Sequence, residues 1–378
     1  MDRILSAINF FDYIKKFTAL KAVYDTNAYT GTCPICKSKG YTFVFDTENK
    51  TYQCLSCSSA GNIITFVADK NKVSEIKAAE MLSTEFNIPF EVPVVVHEKA
   101  LYDIYSDTTA YYNAVLNKYS KKGKEYVKKR ELSDKTVEAF KLGFSPATKG
   151  KLYNFLHQKY SDELIIRSKL CSKDDSGEWY DRFTGRFMFP IFDTEGRAVG
   201  FGGRVLGDEK PKYLNSPESE IFEKRNLLYG FNIAKTSKNK YLILCEGYMD
   251  VIALHQAGFN TAVASLGTAF TKEQAELVKS FTDTVYLSYD NDSAGIKAAM
   301  RAIPMLSELN ITTKVIDKAD TKDPDEFIKK YGAEKFNQQL DNAIPADKWL
   351  LIAAKDVLSE EEYWKLACET FERRWRNG

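Results

Sequence analysis

Two apolar runs that end in carboxylates constrain this chain most. Leu242-Ile243-Leu244-Cys245 leads into Glu246-Gly247-Tyr248-Met249-Asp250, and Val285-Tyr286-Leu287-Ser288-Tyr289 leads into Asp290-Asn291-Asp292-Ser293-Ala294-Gly295. Each run has strand length and passes into a helical pattern. Glu246, Asp290 and Asp292 therefore fall at the carboxyl ends of two strands, where open α/β sheets build their sites. Carboxylates gathered on one edge repel each other unless a cation sits between them. Oxygen donors select a hard divalent ion, and Mg²⁺ in such surroundings handles phosphates.

From 241 onward strands and helices alternate. Strands are expected near 241–245, 261–264, 284–289 and 313–316. Helices are expected near 248–257, 271–281 and 293–309, with another after Asp323. Thr271 and Gln274 form a capping box for the second. This alternation implies a mostly parallel sheet. Residues 100–170 read as mostly helical, and β-formers alternate with glycines over 180–230. The expected divisions are 1–92, a linker over 93–100, a body in two parts (101–235 and 236–345), and a charged helical tail over 346–378. The linker is signalled by the proline in Glu91-Val92-Pro93-Val94-Val95-Val96.

The net charge of +1 does not by itself suggest a polyanion partner. Lys118, Lys121, Lys122, Lys124, Lys128, Lys129 and Arg130, however, face only Glu125 in their stretch, which is either a solvated face or a nucleic-acid contact. No apolar run is long enough to span a bilayer, and the N-terminus lacks a secretory pattern. A cytoplasmic location and no membrane partner are expected.

Seven cysteines include two Cys-x-x-Cys pairs, Cys33/Cys36 and Cys54/Cys57, seventeen residues apart. Tyr41, Phe43 and Phe45 alternate as a strand, Glu48-Asn49-Lys50 turns, and Thr51-Tyr52-Gln53 leads back. Two knuckles joined by a hairpin make a zinc ribbon, with four thiolates around one structural Zn²⁺. Free thiols or disulfides are the alternative, disfavoured by an odd count in a reducing compartment. The hairpin aromatics either fill a small core or stack bases.

The assembled motifs resemble those of bacterial replicative primases of DnaG type. The resemblance rests on the ribbon followed by Gly61-Asn62-Ile63-Ile64-Thr65-Phe66, on Arg130-Glu131-Leu132-Ser133 with Leu142-Gly143-Phe144-Ser145-Pro146, and on Arg186-Phe187-Met188-Phe189-Pro190-Ile191. It continues through Gly200-Phe201-Gly202-Gly203-Arg204 and Pro211-Lys212-Tyr213-Leu214-Asn215-Ser216-Pro217-Glu218. Both acidic motifs, Ser265-Leu266-Gly267-Thr268-Ala269 and Lys322-Asp323-Pro324-Asp325-Glu326 complete it. The fold implied is α+β and multidomain: the zinc ribbon, an α/β primase core with a Rossmann-like Toprim module of mostly parallel sheet, and a short helical C-terminal tail.

The activity implied is synthesis of short RNA primers on single-stranded DNA from ribonucleoside triphosphates, with Mg²⁺ or Mn²⁺. Asp290 and Asp292, spaced i, i+2, can point toward one ion, and Asp323 and Asp325 repeat that spacing. Glu246 is a metal ligand or a general base, and Asp250, one helical turn later, is a further outer ligand. A turn or a helix cap is the structural alternative for such acidic pairs. Lys212, Tyr213 and Asn215 are implied to hold template or nucleotide phosphates. Arg182, Arg186, Arg204, Lys224 and Arg225 are candidates for the same basic track.

Two departures stand out. The family's second zinc ligand is usually histidine, where this chain has Cys36. The family also carries a C-terminal helicase-binding domain, whereas only residues 346–378 follow Pro345 here. Either the chain is a short version encoded by a phage or mobile element, or it meets a replicative helicase in trans in another way. A zinc-plus-Toprim recombination mediator and a Toprim nuclease or topoisomerase are the alternatives. The first lacks the lysine-tyrosine block, and the second needs a cleavage-domain tyrosine that no segment suggests.

Overall fold

Alternating burial organises the first part of the chain. The computed structural model describes residues 1–38, 41–90, 94–267, 269–318, 320–355 and 357–377, and their side chains except at 2, 94–97 and 371–377. It divides into two compact units, Met1–His97 and Glu98–Gly378. In the first, β1 (Leu20–Ala22), β2 (Ala28–Gly31), β3 (Phe43–Asp46), β4 (Thr51–Cys54) and β5 (Ala60–Gly61) form an antiparallel sheet in sequence order. Phe43 and Phe45 on β3 and Tyr52 on β4 are buried against Phe10 and Phe66. They are core residues, and the Tyr52 hydroxyl donates to Asp69. Tyr41 lies in a turn before β3 and is exposed, so the strand expected from residue 41 begins two residues later.

The boundary between the two units, after His97, falls within the linker expected over 93–100, but the extended run expected there is a correction. Residues from Val94 belong to a 21-residue helix, Val94–Ala114. Proline restricts the residue before it and leaves those after it free to enter a helix. Glu91, Val92 and Pro93 lie outside the described residues.

The second unit carries two larger sheets and a hairpin. Its strands are β6 (Gly143–Phe144), β7 (Cys171–Lys173), β8 (Trp179–Asp181), β9 (Arg186–Phe192), β10 (Ala198–Val205) and β11 (Tyr213–Asn215). They continue as β12 (Leu242–Cys245), β13 (Ala262–Ala264), β14 (Thr284–Leu287), β15 (Thr312–Val315) and β16 (Ile344–Pro345). One sheet is antiparallel, ordered β11-β10-β9-β6. It tolerates Pro190 because β6 pairs only with Phe187 and Met188, which leaves that side of Pro190 without a ladder partner to lose.

The other sheet is ordered β13-β12-β14-β15-β16, parallel except for the antiparallel edge strand β16. Every residue of β12 is buried, as a strand covered on both faces requires. Ile243 and Cys245 face one core with Phe187 and Phe189, while Leu242 and Leu244 face another with Val285, Leu287 and Ile303. The chain leaves β12 for β13 on one side, then returns to β14 on the other. The switch point of the sheet therefore lies between the carboxyl ends of β12 and β14. Helices Tyr248–Gln256, Lys272–Phe281, Ser293–Glu308 and Pro324–Asp341 follow the strands, and the Thr271–Gln274 capping box is formed. The tail is helical over Ala346–Ala354 and Glu360–Asn377. Among the described residues no helix is long and apolar enough to cross a membrane.

His255, on the first of those helices, is buried against Phe140, and its Nε2–H donates to the Ala262 carbonyl. Burial pulls its pKa down to about 4. A folded-state value below the unfolded one means the folded state resists protonation. The associated stability is complete above about pH 6.5 and drains away as pH falls toward 4. Between pH 7 and pH 5 this group should cost about 2 kcal/mol. In urea melts, His255→Gln, which keeps a donor for Ala262, should show a pH 7-to-5 loss smaller than wild type by about that amount. Identical pH dependence in the two proteins would exclude His255 as the titrating group.

Candidate active site

The acidic residues gather at the switch point. Glu246 directly follows β12, and its Oε1 accepts the Asp290 amide at 2.8 Å. This bond ties the two motifs together. Gly295 makes it possible: a Cβ there would lie 2.2 Å from the Asp290 carbonyl oxygen and 2.7 Å from Glu246 Oε1. Asp292 caps the helix Ser293–Glu308, its Oδ1 accepting from Ala294 and Gly295 amides. Its other oxygen faces Lys322, whose Nζ lies 3.9 Å from Asp292 and 3.6 Å from Asp290. Asp323 caps the next helix through the Glu326 amide, and Asp250 Oδ2 accepts the Gly247 amide. The helix-cap alternative is thus realised for Asp292 and Asp323, and one side-chain oxygen of each remains outside the cap bond.

Charge is the dominant physical fact here. Burial, then Asp323 and Asp290, pushes the Asp250 carboxyl well above the usual carboxylate range. Burial raises Glu246 too, reinforced by Asp290 and Asp292, and raises Asp290, reinforced by Asp323. Like charges held together in this way favour a proton or a cation. The Lys322 ammonium stands where a cation between Asp290 and Asp292 would stand, and the donors are all oxygen. The set therefore fits Mg²⁺ or Mn²⁺. Lys318, three residues past β15, is 2% exposed and lies within electrostatic reach of Asp290, Asp250 and Glu246. Sequence reasoning passed over it, because a lysine in a loop normally reads as solvated.

Asp325 stands apart from the expected ligand set. Its carboxylate pairs with Arg130 at 2.7 Å and Lys329 at 2.8 Å and is nearly buried. A carboxylate already neutralised by two cations is a poor ligand for a third. Arg130, expected as the end of the basic run and as part of a motif, is instead committed to this ion pair.

Tyr248 docks the first acidic motif onto the antiparallel sheet. Its ring stacks on Phe189 (4.9 Å, 10°) and lies against the backbone of Gly202, where a Cβ would approach to 2.5 Å. Its hydroxyl donates to Asn215 Oδ1 at 2.7 Å, and Asn215 Nδ2 donates to the Leu266 carbonyl. Asn215, expected to hold phosphate, has both ends of its amide engaged as a brace. Arg186 is likewise internal, donating to the Gly203 and Pro211 carbonyls. Arg182 donates to the Asn215 carbonyl. Arg225 pairs with Glu273, and Lys224 lies 4.0 Å from Glu218.

Arg204 lies over the rings of Tyr126 and Tyr213 and donates to the Tyr213 hydroxyl. Lys212 is exposed on the same segment. Of the expected basic track, Lys212, Tyr213, Arg204 and Arg225 keep surface available to a ligand, Arg225 while paired with Glu273. The lysine run lines an open pocket of about 440 Å³ with Lys118, Lys121, Lys124 and Lys128. Thr268, in the Ser265–Ala269 motif, lies outside the described residues.

In the first unit the four expected thiols converge, their sulfurs all within 4.8 Å of one another. Cys36 and Cys54 are 3.9 Å apart, close to the edge of a zinc–thiolate tetrahedron, about 3.8 Å. Both knuckles have the same form. Lys37 donates its amide to the Cys33 carbonyl, Ser58 to that of Cys54, and both donors have positive φ. Four protein ligands close the site, which is a structural one.

Three family descriptions match along the chain: "CHC2 zinc finger" over 1–98, "DNA primase catalytic core, N-terminal domain" over 110–235, and "Toprim-like" over 243–328. The DNA primase of Clostridium acetobutylicum is 40% identical over 325 residues, covering 84% of this chain and 54% of that protein. The chain thus spans about half the length of that relative. The solved zinc-binding and RNA polymerase domains of the Aquifex aeolicus primase are 30% identical, with a TM-score of 0.67, covering 98% of this chain and 92% of that one. A solved DnaG primase catalytic domain bound to single-stranded DNA is 31% identical, with a TM-score of 0.63, covering 74% of this chain and 99% of that one.

The Asp325 geometry separates a structural role from a ligand role. Asp325→Asn should lower stability by about 2 kcal/mol, since it leaves Arg130 and Lys329 without their shared carboxylate. Mn²⁺ affinity at the acidic edge should change by no more than about threefold, the effect of a more distant charge. Urea melts and calorimetric titration read both quantities. Unchanged stability together with lost Mn²⁺ binding would make Asp325 a ligand after all.

Proposed function

This chain belongs to the family of DnaG-type DNA primases, and from that premise we propose that it is a DNA-templated RNA polymerase making short primers on single-stranded DNA. The observation that carries this reading is the joining of Glu246 to the Asp290 amide at the switch point, with Asp292 beside them, on a module docked by Tyr248 to the sheet that bears Arg204 and Tyr213. Primer synthesis joins a 3′ hydroxyl to the α-phosphorus of a ribonucleoside triphosphate and expels pyrophosphate. Glu246, Asp290 and Asp292 would hold Mg²⁺ or Mn²⁺, which supplies neutralising charge and activates the hydroxyl.

The protein's own groups do the positioning. The Asp290 amide fixes one oxygen of Glu246 and so sets the direction of its carboxylate. Asp292, locked as a helix cap, presents its second oxygen to the same space. Lys322 neutralises the pair Asp290 and Asp292 and is exposed enough to swing away. Lys212 and Arg204 offer cationic anchors for template or nucleotide phosphates, and the Tyr213 ring beside them is exposed. The zinc-ribbon unit suits holding template before any primer exists, as a tethered second module raises local concentration. That a relative was solved with single-stranded DNA supports DNA as the template. A replicative helicase acting in trans belongs to the same reading, as does a reducing cytoplasm, which the free thiols favour. The match of residues 110–235 to a primase core favours synthesis over mediator, nuclease or topoisomerase roles.

The test is ribonucleotide incorporation on single-stranded DNA with Mg²⁺ or Mn²⁺. Wild type should make short RNA only when template, ribonucleotides and metal are all present. Asp290→Ala should lose a factor of about 10²–10³ or more in rate, with template affinity little changed. Near-normal synthesis by Asp290→Ala, or none by wild type under any of these conditions, would reject the reading.

A further inference from the structure

The short helix Lys121–Lys129 carries charge where charge does not help it. Residues 118–129 hold six lysines and one acid, Glu125. All six lysines are exposed, and among the described residues their only ion-pair partner is Glu125, 4.0 Å from Lys121. Lys121, Lys122 and Lys124 stand at the start of the helix, the end that favours negative charge. Cations there cost helix stability, so support of the fold does not account for them.

The helix itself is firmly seated. Gly123 and Tyr126 form its buried face. A Cβ on Gly123 would lie 2.6 Å from the Leu116 side chain and 3.1 Å from that of Phe144. Its far end reaches the candidate site. Arg130 pairs with Asp325 at 2.7 Å, and the Arg204 guanidinium lies over the Tyr126 ring. The outward face is therefore a fixed surface that leads away from the basic track. Lys121, Lys124 and Lys128, at i, i+3 and i+7, form one stripe along it about 10 Å long. With Lys118 and Tyr119 they line the open pocket of about 440 Å³. Tyr119 ends a π-helical turn, Val115–Tyr119, and is 79% exposed. Lys122 and Lys129 lie outside this lining.

Cations that follow a backbone and an exposed ring that offers its face to a base are the two parts of a single-strand platform. We propose that Lys121, Lys124 and Lys128, with Lys118 and Tyr119, are a second contact for the single-stranded template, outside the acidic edge. The lysines neutralise its phosphates, and the Tyr119 ring stacks on one of its bases. The occupant is the template because growing RNA is paired where it is made, which leaves the DNA as the unpaired strand beside the site. Phosphate contacts carry no sequence information, so this surface holds any template. The inference rests on the reading of the chain as a template-copying polymerase.

The test measures binding of oligo(dT) to the full chain by fluorescence anisotropy over a range of salt. Lys121→Gln/Lys124→Gln and Lys122→Gln/Lys129→Gln remove equal charge from neighbouring faces. The first should bind about tenfold more weakly at about 0.1 M salt, with the salt slope reduced by about 1.4, or about 0.7 for each lost contact. The second should change each quantity by less than half as much. Tyr119→Ala should bind about tenfold more weakly with its slope unchanged, and Tyr119→Phe, which keeps the stacking face, should match wild type. Thermal melts should show Lys121→Gln/Lys124→Gln no less stable than wild type. A lower Tm would return these lysines to a structural role and overturn the inference. Equal losses from the two double variants, no loss from the first, or full-strength binding by Tyr119→Ala overturns it too, and leaves the polymerase reading standing. An equal loss of affinity for blunt duplex DNA assigns the stripe to a duplex and overturns the single-strand role. No oligo(dT) binding by wild type at any salt overturns the template reading and this inference with it.

Discussion

Repulsion among carboxylates at the carboxyl edge of a parallel sheet is the constraint around which this structure is arranged. A parallel sheet buried on both faces leaves its strand ends as a polar opening, and reversal of strand order beside β12 turns that opening into a crevice. Glu246, Asp290 and Asp292 enter it because each sits just past a strand. The helices that follow point their amino ends at the same edge, so their dipoles favour negative charge there. The caps on Asp292 and Asp323 draw on that effect directly. Helix ends offset part of the charge, Lys322 offsets more, and the remainder is what a divalent cation would take.

The second requirement is that this edge meet the rest of the body at a defined place. Tyr248 provides it with a ring stacked on Phe189, pressed against Gly202 and tethered to Asn215. Asn215 in turn holds the Leu266 carbonyl. One side chain thus couples the acidic motif, the antiparallel sheet and the loop after β13. A basic track whose inner members are braces and whose outer members stay exposed follows from the same packing. Arg186 supports the segment that presents Lys212, and it does so from inside.

Much of this was legible in the sequence because its cause is local. The strand and helix positions after 241 came within a residue or two, since apolar runs, caps and turn residues act at short range. The four thiols were readable from spacing, because a ribbon needs little else. What escaped depends on surroundings that no local pattern encodes. Asp325 shares the spacing of Asp290 and Asp292, yet Arg130, almost two hundred residues earlier in the chain, claims it. Arg186 and Asn215 carry polar groups that suit phosphate, but tertiary packing turns them toward backbone carbonyls. Lys318 offers no periodic or motif signal, and its burial is a property of the assembled loop. The extended conformation expected after Pro93 came from applying proline's backward restriction to the residues that follow it.

The claim on which the account turns is that the edge between β12 and β14 binds a divalent cation through Glu246, Asp290 and Asp292. Anomalous diffraction from crystals of the protein soaked in Mn²⁺ tests it most directly. The account predicts a manganese peak within about 2.0–2.4 Å of oxygens from at least two of these three residues, with the Lys322 ammonium displaced. A strong manganese peak elsewhere, with this edge empty and Lys322 still between Asp290 and Asp292, would contradict it.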